Sequence, residues 1–308
     1  MSFKLAGLGA AILANSALAN PAWEIPTPET VADPATKRID IDSLNRTFTD
    51  ANGRQVLFHG VNVVYKVDPY IPSTGEFDSQ NSLNDEDIAS LKKWGMNFVR
   101  LGVMWEAVER TEGEYDDAYL DKVEEMINKL GDAGIYTLVD AHQDVFARTM
   151  CGEGVPDFYA KQALKHNNFC INRWVDKLLS PLYSKFGVCT DITSFGFEMD
   201  ENDDPLIVDC QSRDFYTYYL TKQSMAAFGA LFTNRNGLSD KFVSYWDHVS
   251  RRFAKNPYVV GYDPLNEPFP ANPARDPMLF MPGHMDKQYL APLYTQIFEK
   301  YQTHDTNQ

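Results

Sequence analysis

Short apolar runs and longer runs with a helical repeat take turns along this chain. Residues 56–66 (Val-Leu-Phe-His-Gly-Val-Asn-Val-Val-Tyr-Lys) are dense in β-branched and aromatic side chains and predict a strand ending at Lys66. Residues 84–94 open on an Asn cap, carry acids in the first turn, place Ile88, Leu91 and Trp94 on one side, and stop at Gly95, which predicts a short helix. A second strand is expected over 97–105. Leu120, Val123, Ile127 and Leu130 then recur at helical period until Gly131 and Gly134 end the run. A third apolar run, 136–144, turns polar at its end. After a long interruption come a helix over 240–254, striped by Phe242, Trp246, Val249 and Phe253, and a fourth strand over 258–265. The fourth strand runs into Asn266-Glu267-Pro268, and Leu290, Leu293, Ile297 and Tyr301 mark a last helix over 288–301.

Strands alternating with helices favour a parallel sheet wrapped by helices. The pattern supplies four strand-helix units, half of the eight that close a (β/α)8 barrel. A four-stranded doubly wound sheet is the rival arrangement, but no Gly-rich phosphate loop follows any strand, so its nucleotide-binding form has no support. The interruption at 145–239 holds all four cysteines and many aromatic residues. Such a length reads either as a functional lid or as a surface excursion held by disulfides. The domain layout expected is a signal peptide over 1–19, a lead over 20–55 whose Pro- and Thr-rich part at 21–36 is extended or loosely held, and a catalytic domain over 56–308.

Composition narrows the setting. With 308 residues and a formal charge of −15, the chain is a poor electrostatic partner for nucleic acid or an anionic membrane. Lys4, the apolar stretch 5–14 and Ala17-Leu18-Ala19 read as a cleaved secretory signal, which implies an extracellular or lysosomal protein. No later segment is apolar for long enough to span a bilayer, so no integral membrane segment is expected after cleavage. In an oxidising compartment Cys151, Cys170, Cys189 and Cys210 are disulfide candidates. Four cysteines allow three connectivities; pairing Cys151 with Cys170 and Cys189 with Cys210 is the preferred one. Zinc is the poorer reading, because no Cys-x-x-Cys pair exists and His166 has no partner at ligand spacing. Asn45-Arg46-Thr47 is a glycan-acceptor triplet if the chain is secreted.

Polar residues collect where the predicted strands end, the face that carries the active site in a barrel. Lys66, Arg100, His142, Asp144, Asn266 and Glu267 all fall there. Glu267 is the candidate acid, because breaking a glycosidic bond needs a carboxylic acid for the leaving oxygen and a second carboxylate to attack the sugar or activate water. Arg100 can keep carboxylates ionised, Asn266 can bond a sugar 2-hydroxyl, and Lys66, His142 and Asp144 can bind further hydroxyls. Taken singly each has a bland alternative: Arg100 neutralising a buried acid, His142 a satisfied inward histidine, Lys66 and Glu267 solvated.

From 56 to 301 the chain resembles glycoside hydrolase family 5, and within it the endoglycosylceramidase branch. The carriers are Phe58-His59-Gly60-Val61-Asn62 with Lys66, Asn97-Phe98-Val99-Arg100-Leu101-Gly102, Trp105-Glu106, Asp140-Ala141-His142-Gln143-Asp144, Gly152-Glu153-Gly154-Val155-Pro156 and Asn266-Glu267-Pro268. The resemblance implies a TIM-barrel glycosidase of which about the first four strand-helix units are present. It implies a retaining mechanism in which Glu267 protonates the departing ceramide oxygen and later activates water, while Lys66, His142 and Asp144 hold the sugar next to ceramide. The substrate implied is a glycosphingolipid, glycan plus ceramide, presented by an activator or met at a membrane surface, and the chemistry needs no metal or organic cofactor. The family's nucleophilic Glu stands on the seventh strand, so it is expected beyond Gln308, and the activity of residues 1–308 alone is in doubt. Glu106, Glu198, Glu201 and Glu299 do not replace it. Glucosylceramide, a steryl glucoside or a β-glucan are neighbouring substrates, and a non-catalytic half-barrel that binds glycolipid is the alternative outside enzymes.

Overall fold

The computed structural model describes residues 38–165, 170, 173–185 and 187–304. The expected signal peptide, the 21–36 lead and His166 lie outside these residues. Seven strands make two sheets. β1 (Asp40–Asp42), β2 (Thr47–Thr49) and β3 (Gln55–Val56) form an antiparallel meander, while β4 (Gly60–Val63), β5 (Phe98–Gly102), β6 (Tyr136–Asp140) and β7 (Val259–Asp263) form a parallel sheet in that order. Four parallel strands laid down in chain order with helical crossovers are half of a (β/α)8 barrel.

The meander was not foreseen in the lead. Asp42 builds its first turn by accepting from the amides of Leu44 and Asn45, both at 3.0 Å. Phe48 packs on Phe58, and Phe58 on Phe98 and Tyr136, the first residues of β5 and β6. The meander therefore sits at the amino ends of the parallel strands and leaves their carboxyl ends clear. The apolar run 56–66 is not one strand. Asn97 interrupts it by accepting from the His59 amide (2.8 Å) and donating to the Leu57 carbonyl (2.9 Å), so side-chain bonds replace ladder bonds there. The 97–105 run also ends early, because Trp105–Val108 winds into a short helix.

The crossover helices form where expected. α1 (Asp85–Lys93) starts in a capping box between Asn84 and Asp87. α2 (Asp117–Asp132) buries Leu120, Val123, Ile127 and Leu130. The excursion 145–239 contributes α3 (Asp157–Leu164), α4 (Arg173–Lys185) and α5 (Lys222–Phe232), followed by α6 (Leu238–Phe253) and α7 (Ala291–His304). α5 buries Met225, Ala227, Phe228 and Leu231, so the excursion adds to the core instead of lying on it. Trp105 anchors the centre against Tyr159, Phe242 and Tyr245, and Trp246 of α6 meets Tyr262 of β7 and Tyr301 of α7. Both tryptophans are fully buried, and truncating either to Ala removes about 3–5 kcal/mol.

The disulfides differ from the preferred pairing. Cys151 bonds Cys210 and Cys170 bonds Cys189, with Cα separations of 5.4 and 5.9 Å. The reason is a contact between distant parts of the chain. Arg148 donates to the Pro205 carbonyl and so brings the Ile207–Cys210 turn beside Cys151, while Cys170 and Cys189 bracket α4. Among the described residues no helix is long and apolar enough to cross a membrane.

Candidate active site

Parallel register sets Gly102 beside Asp140 and Asp140 beside Asp263, so the carboxyl ends of β5, β6 and β7 form one shelf. Arg100 ties it together. Its Nε and Nη2 donate to Asp263 Oδ2 (2.9 and 2.8 Å), and Nη2 also donates to Asp140 Oδ1 (2.8 Å) and Asn266 Oδ1 (2.9 Å). Asp140 is wholly buried. Burial pushes its carboxyl upward, opposed by the hydrogen bond with His142 and the charge of Arg100.

From Asp140 the contacts run outward. His142 Nδ1 meets Asp140 Oδ2 at 2.9 Å and Nε2 meets Asp144 Oδ2 at 3.2 Å. Burial works against the imidazolium, but the bonds to Asp140 and Asp144 outweigh it and raise His142 above its ordinary value. Burial likewise opposes ionisation of Asp144, yet His142 and Lys66 hold its carboxyl down at about 2. The Lys66 ammonium bonds Asp144 and, at 2.9 Å, Glu153 Oε1. Five of the six predicted residues are thus joined: Lys66, Asp144, His142 and Arg100 form a continuous charged chain through Asp140, and Asn266 joins it at Arg100.

Glu267 stands apart. A Gln143 clasp positions the loop that carries it: Gln143 Nε2 donates to the carbonyls of Asn266 (2.6 Å) and Glu267 (3.3 Å), and Asn266 Nδ2 donates back to the Gln143 carbonyl (2.9 Å). The Glu267 backbone has φ +38°, a left-handed conformation that an L residue holds only where its surroundings impose it. Its side chain is exposed, because the chain leaves β7 at Asp263, stays buried through Leu265 and Asn266 and bends at Asn266 and Glu267. It borders an apolar cavity of about 410 Å³ lined by Tyr216, Tyr219, Leu220, Pro268, Phe269 and Pro270. On the Lys66 side lies a second cavity of about 530 Å³, walled by Glu106, Glu153, Asp157, Arg148, Arg213 and Tyr218. Tyr219 stands between them, its hydroxyl 3.5 Å from Asp144. No group of His, Cys, Asp or Glu among the described residues is arranged to hold a metal ion.

The profile of cellulase, glycosyl hydrolase family 5, matches residues 49–195, which contain Lys66, Arg100, His142 and Asp144. The chain carries a family 5 glycosyl hydrolase domain. An endoglycoceramidase of Cyanea nozakii is 34% identical over 275 residues, 89% of this chain and 50% of the relative. One of Hydra vulgaris is 31% identical over 259 residues, 84% of this chain and 46% of the relative. The solved endo-glycoceramidase II from Rhodococcus sp., as its lactosyl-enzyme intermediate, superposes with a TM-score of 0.58 at 21% identity, over 84% of this chain and 49% of that one; it shows the fold. The chain spans about half the length of the curated relatives it matches.

Three further residues of this family 5 domain were not assigned a role from sequence. Glu153 is the second partner of Lys66, and burial raises its carboxyl. Gln143 holds the loop that carries Glu267. Glu106 accepts from the Gly154 amide at 2.6 Å and from the Tyr70 hydroxyl at 3.1 Å, and burial pushes it up to about 7. Their motifs were visible, but only the fold shows which groups they reach. Gly154 itself has φ +116°, and a Cβ there would stand 2.5 Å from Gln143 Cα, so that close approach requires glycine. Glu198, Glu201 and Glu299 are exposed.

Proposed function

We propose that this protein is a glycosidase that hydrolyses the O-glycosidic bond between oligosaccharide and ceramide in glycosphingolipids. The observation that carries the reading is an asymmetry of lining: the cavity at Glu267 is walled by Tyr216, Tyr219, Leu220, Phe269 and prolines, whereas the one beside Lys66 and Glu153 also carries Glu106, Asp157, Arg148 and Arg213. A molecule with a sugar on one side and a lipid on the other fits that asymmetry. The endoglycoceramidase relatives support it. Lys66, His142 and Asp144 would bind the sugar next to the lipid, Arg100 and Asn266 would hold the shelf beneath it, and Glu267 would protonate the departing oxygen and then activate water. The second carboxylate that retention requires falls, on this reading, beyond Gln308. The two carboxylates then supply both the nucleophile and the proton transfers, and no cofactor enters the mechanism.

The test is to incubate the full gene product with fluorescent lactosylceramide, glucosylceramide and a steryl glucoside. Lactose and intact labelled ceramide should appear together from the first, and Glu267→Gln should abolish their release. Turnover unaffected by Glu267→Gln removes Glu267 from the mechanism, and cleavage of only the steryl glucoside or glucosylceramide replaces the substrate. If the full product binds lactosylceramide without releasing lactose, the enzyme reading falls.

A further inference from the structure

Among the described residues, the larger cavity has a cation on its wall with no ionic partner. Two of its three basic residues are committed: Lys66 to Asp144 and Glu153, Arg148 to the Pro205 carbonyl. Arg213 is different. Its guanidinium lies 4.2 Å from the centroid of the Phe195 ring and 5.7 Å from that of Phe197, and among the described residues it has no carboxylate in ion-pair contact. The nearest acids in sequence are engaged elsewhere, Asp209 accepting from the Glu198 amide at 2.7 Å and Asp214 from the Tyr216 amide at 3.1 Å. Stacking on a ring fixes the plane of a guanidinium while leaving its in-plane N–H donors available, and that fork matches a carboxylate or a sulfate ester. In a chain of formal charge −15, an arginine held this way beside a cavity is poised for an anion from outside the chain.

We propose that this cavity is a subsite for the outer part of a glycan headgroup, and that Arg213 determines specificity by binding an anionic substituent on a sugar beyond the one held by Lys66. The inference rests on the glycolipid reading, which places the first sugar at Lys66 and Asp144; the cavity opens from there toward Arg213. Tyr218, its hydroxyl spent on the Cys210 carbonyl at 2.5 Å, and the Cys151–Cys210 disulfide give that passage a rigid wall. Either a sugar carboxylate or a sugar sulfate supplies the required chemistry.

Titration calorimetry with lactose, 3′-sialyllactose and 3′-sulfolactose separates these. At least one acidic trisaccharide or ester should bind about tenfold more tightly than lactose, the worth of a charge-assisted bidentate contact, and which arm gains tells carboxylate from sulfate. Arg213→Gln should erase that gain and leave lactose binding unchanged, with Arg213→Lys between the two. Equal affinities in the native protein, or a gain that survives Arg213→Gln in a variant with native circular dichroism, overturns the assignment while the lactose site stands. If lactose itself does not bind, the glycolipid reading falls and this subsite with it.

Discussion

Glu106 and Gly154 hold each other twice: the Glu106 amide donates to the Gly154 carbonyl at 2.9 Å, and the Gly154 amide donates to Glu106 Oε1 at 2.6 Å. Through the loop between Gly152 and Gly154 this clasp sets Glu153 against Lys66, so a residue that touches no predicted site member fixes the sugar-side cation. The same carboxyl is pushed from 4.5 to about 7 by burial. A raised carboxyl favours folding in its protonated form, so its contribution is full below about pH 4.5 and is lost as pH rises through about 7. Glu106→Gln removes that dependence. Its stability relative to the native protein should therefore rise by roughly 3 kcal/mol across the window, read from urea midpoints at its two ends. Parallel pH profiles for the two proteins would refute the assignment.

Arg100 makes a sharper case. Truncating it to Ala takes the guanidinium away from buried Asp140 and leaves His142 to face that carboxylate, and breaking such a buried pair costs about 3–5 kcal/mol. Asp140→Asn in the same chain should restore part of that loss, because the amide no longer needs a counter-charge. Arg100→Lys should also fall short of the native protein, since an ammonium has no counterpart to the Nε that donates to Asp263 alongside Nη2. Urea unfolding of the five proteins, Asp140→Asn alone included, decides it, and strict additivity of the two single changes would show that Arg100 and Asp140 are not coupled.

His142 offers a direct titration. With both ring nitrogens facing carboxylates, the imidazolium is favoured, and its contribution to stability is present below pH 6.5 and lost as pH rises through the folded value. Imidazole NMR should place its midpoint above 6.5, and Asp144→Asn should bring it down. A midpoint at or below 6.5 in the native protein contradicts the arrangement.

What could be read from the sequence follows the range of the interactions. Asn84 and the α6 stripe were legible because caps and helical periodicity are set by neighbours within a turn or two. Lys66, Arg100, His142, Asp144 and Asn266 were legible as polar positions at strand ends, a relation the parallel register preserves. The Asn97 interruption of the 56–66 run was not, because it joins residues 38 and 40 positions apart. The cysteine pairing failed for the same reason: spacing says nothing of the Arg148 contact that brings 205–210 to 151. Glu267 was placed correctly after the fourth strand, but its exposure depends on the bend at Asn266–Glu267 and the left-handed backbone there, whose carbonyls Gln143 holds.

The parallel sheet carries the last prediction. Among the described residues, β5 and β6 each have two neighbours and bury three of five residues, whereas β4 and β7 each pair on one side only, β4 with two of its four residues exposed and β7 with one of five buried. Strand edges of this kind present rows of amides and carbonyls to any other strand that approaches, and no charged side chain in β4 blunts its edge. Asp263 in β7 is already engaged by Arg100 and so gives little protection. Residues 1–308 expressed alone should therefore self-associate, and light scattering should report oligomers whose mass rises with concentration. Asn62→Lys, at an exposed position of the edge strand, should lower that mass without changing the far-ultraviolet dichroism. A clean monomer with a sharp cooperative melt would mean that the two outer strands are protected by contacts other than those described.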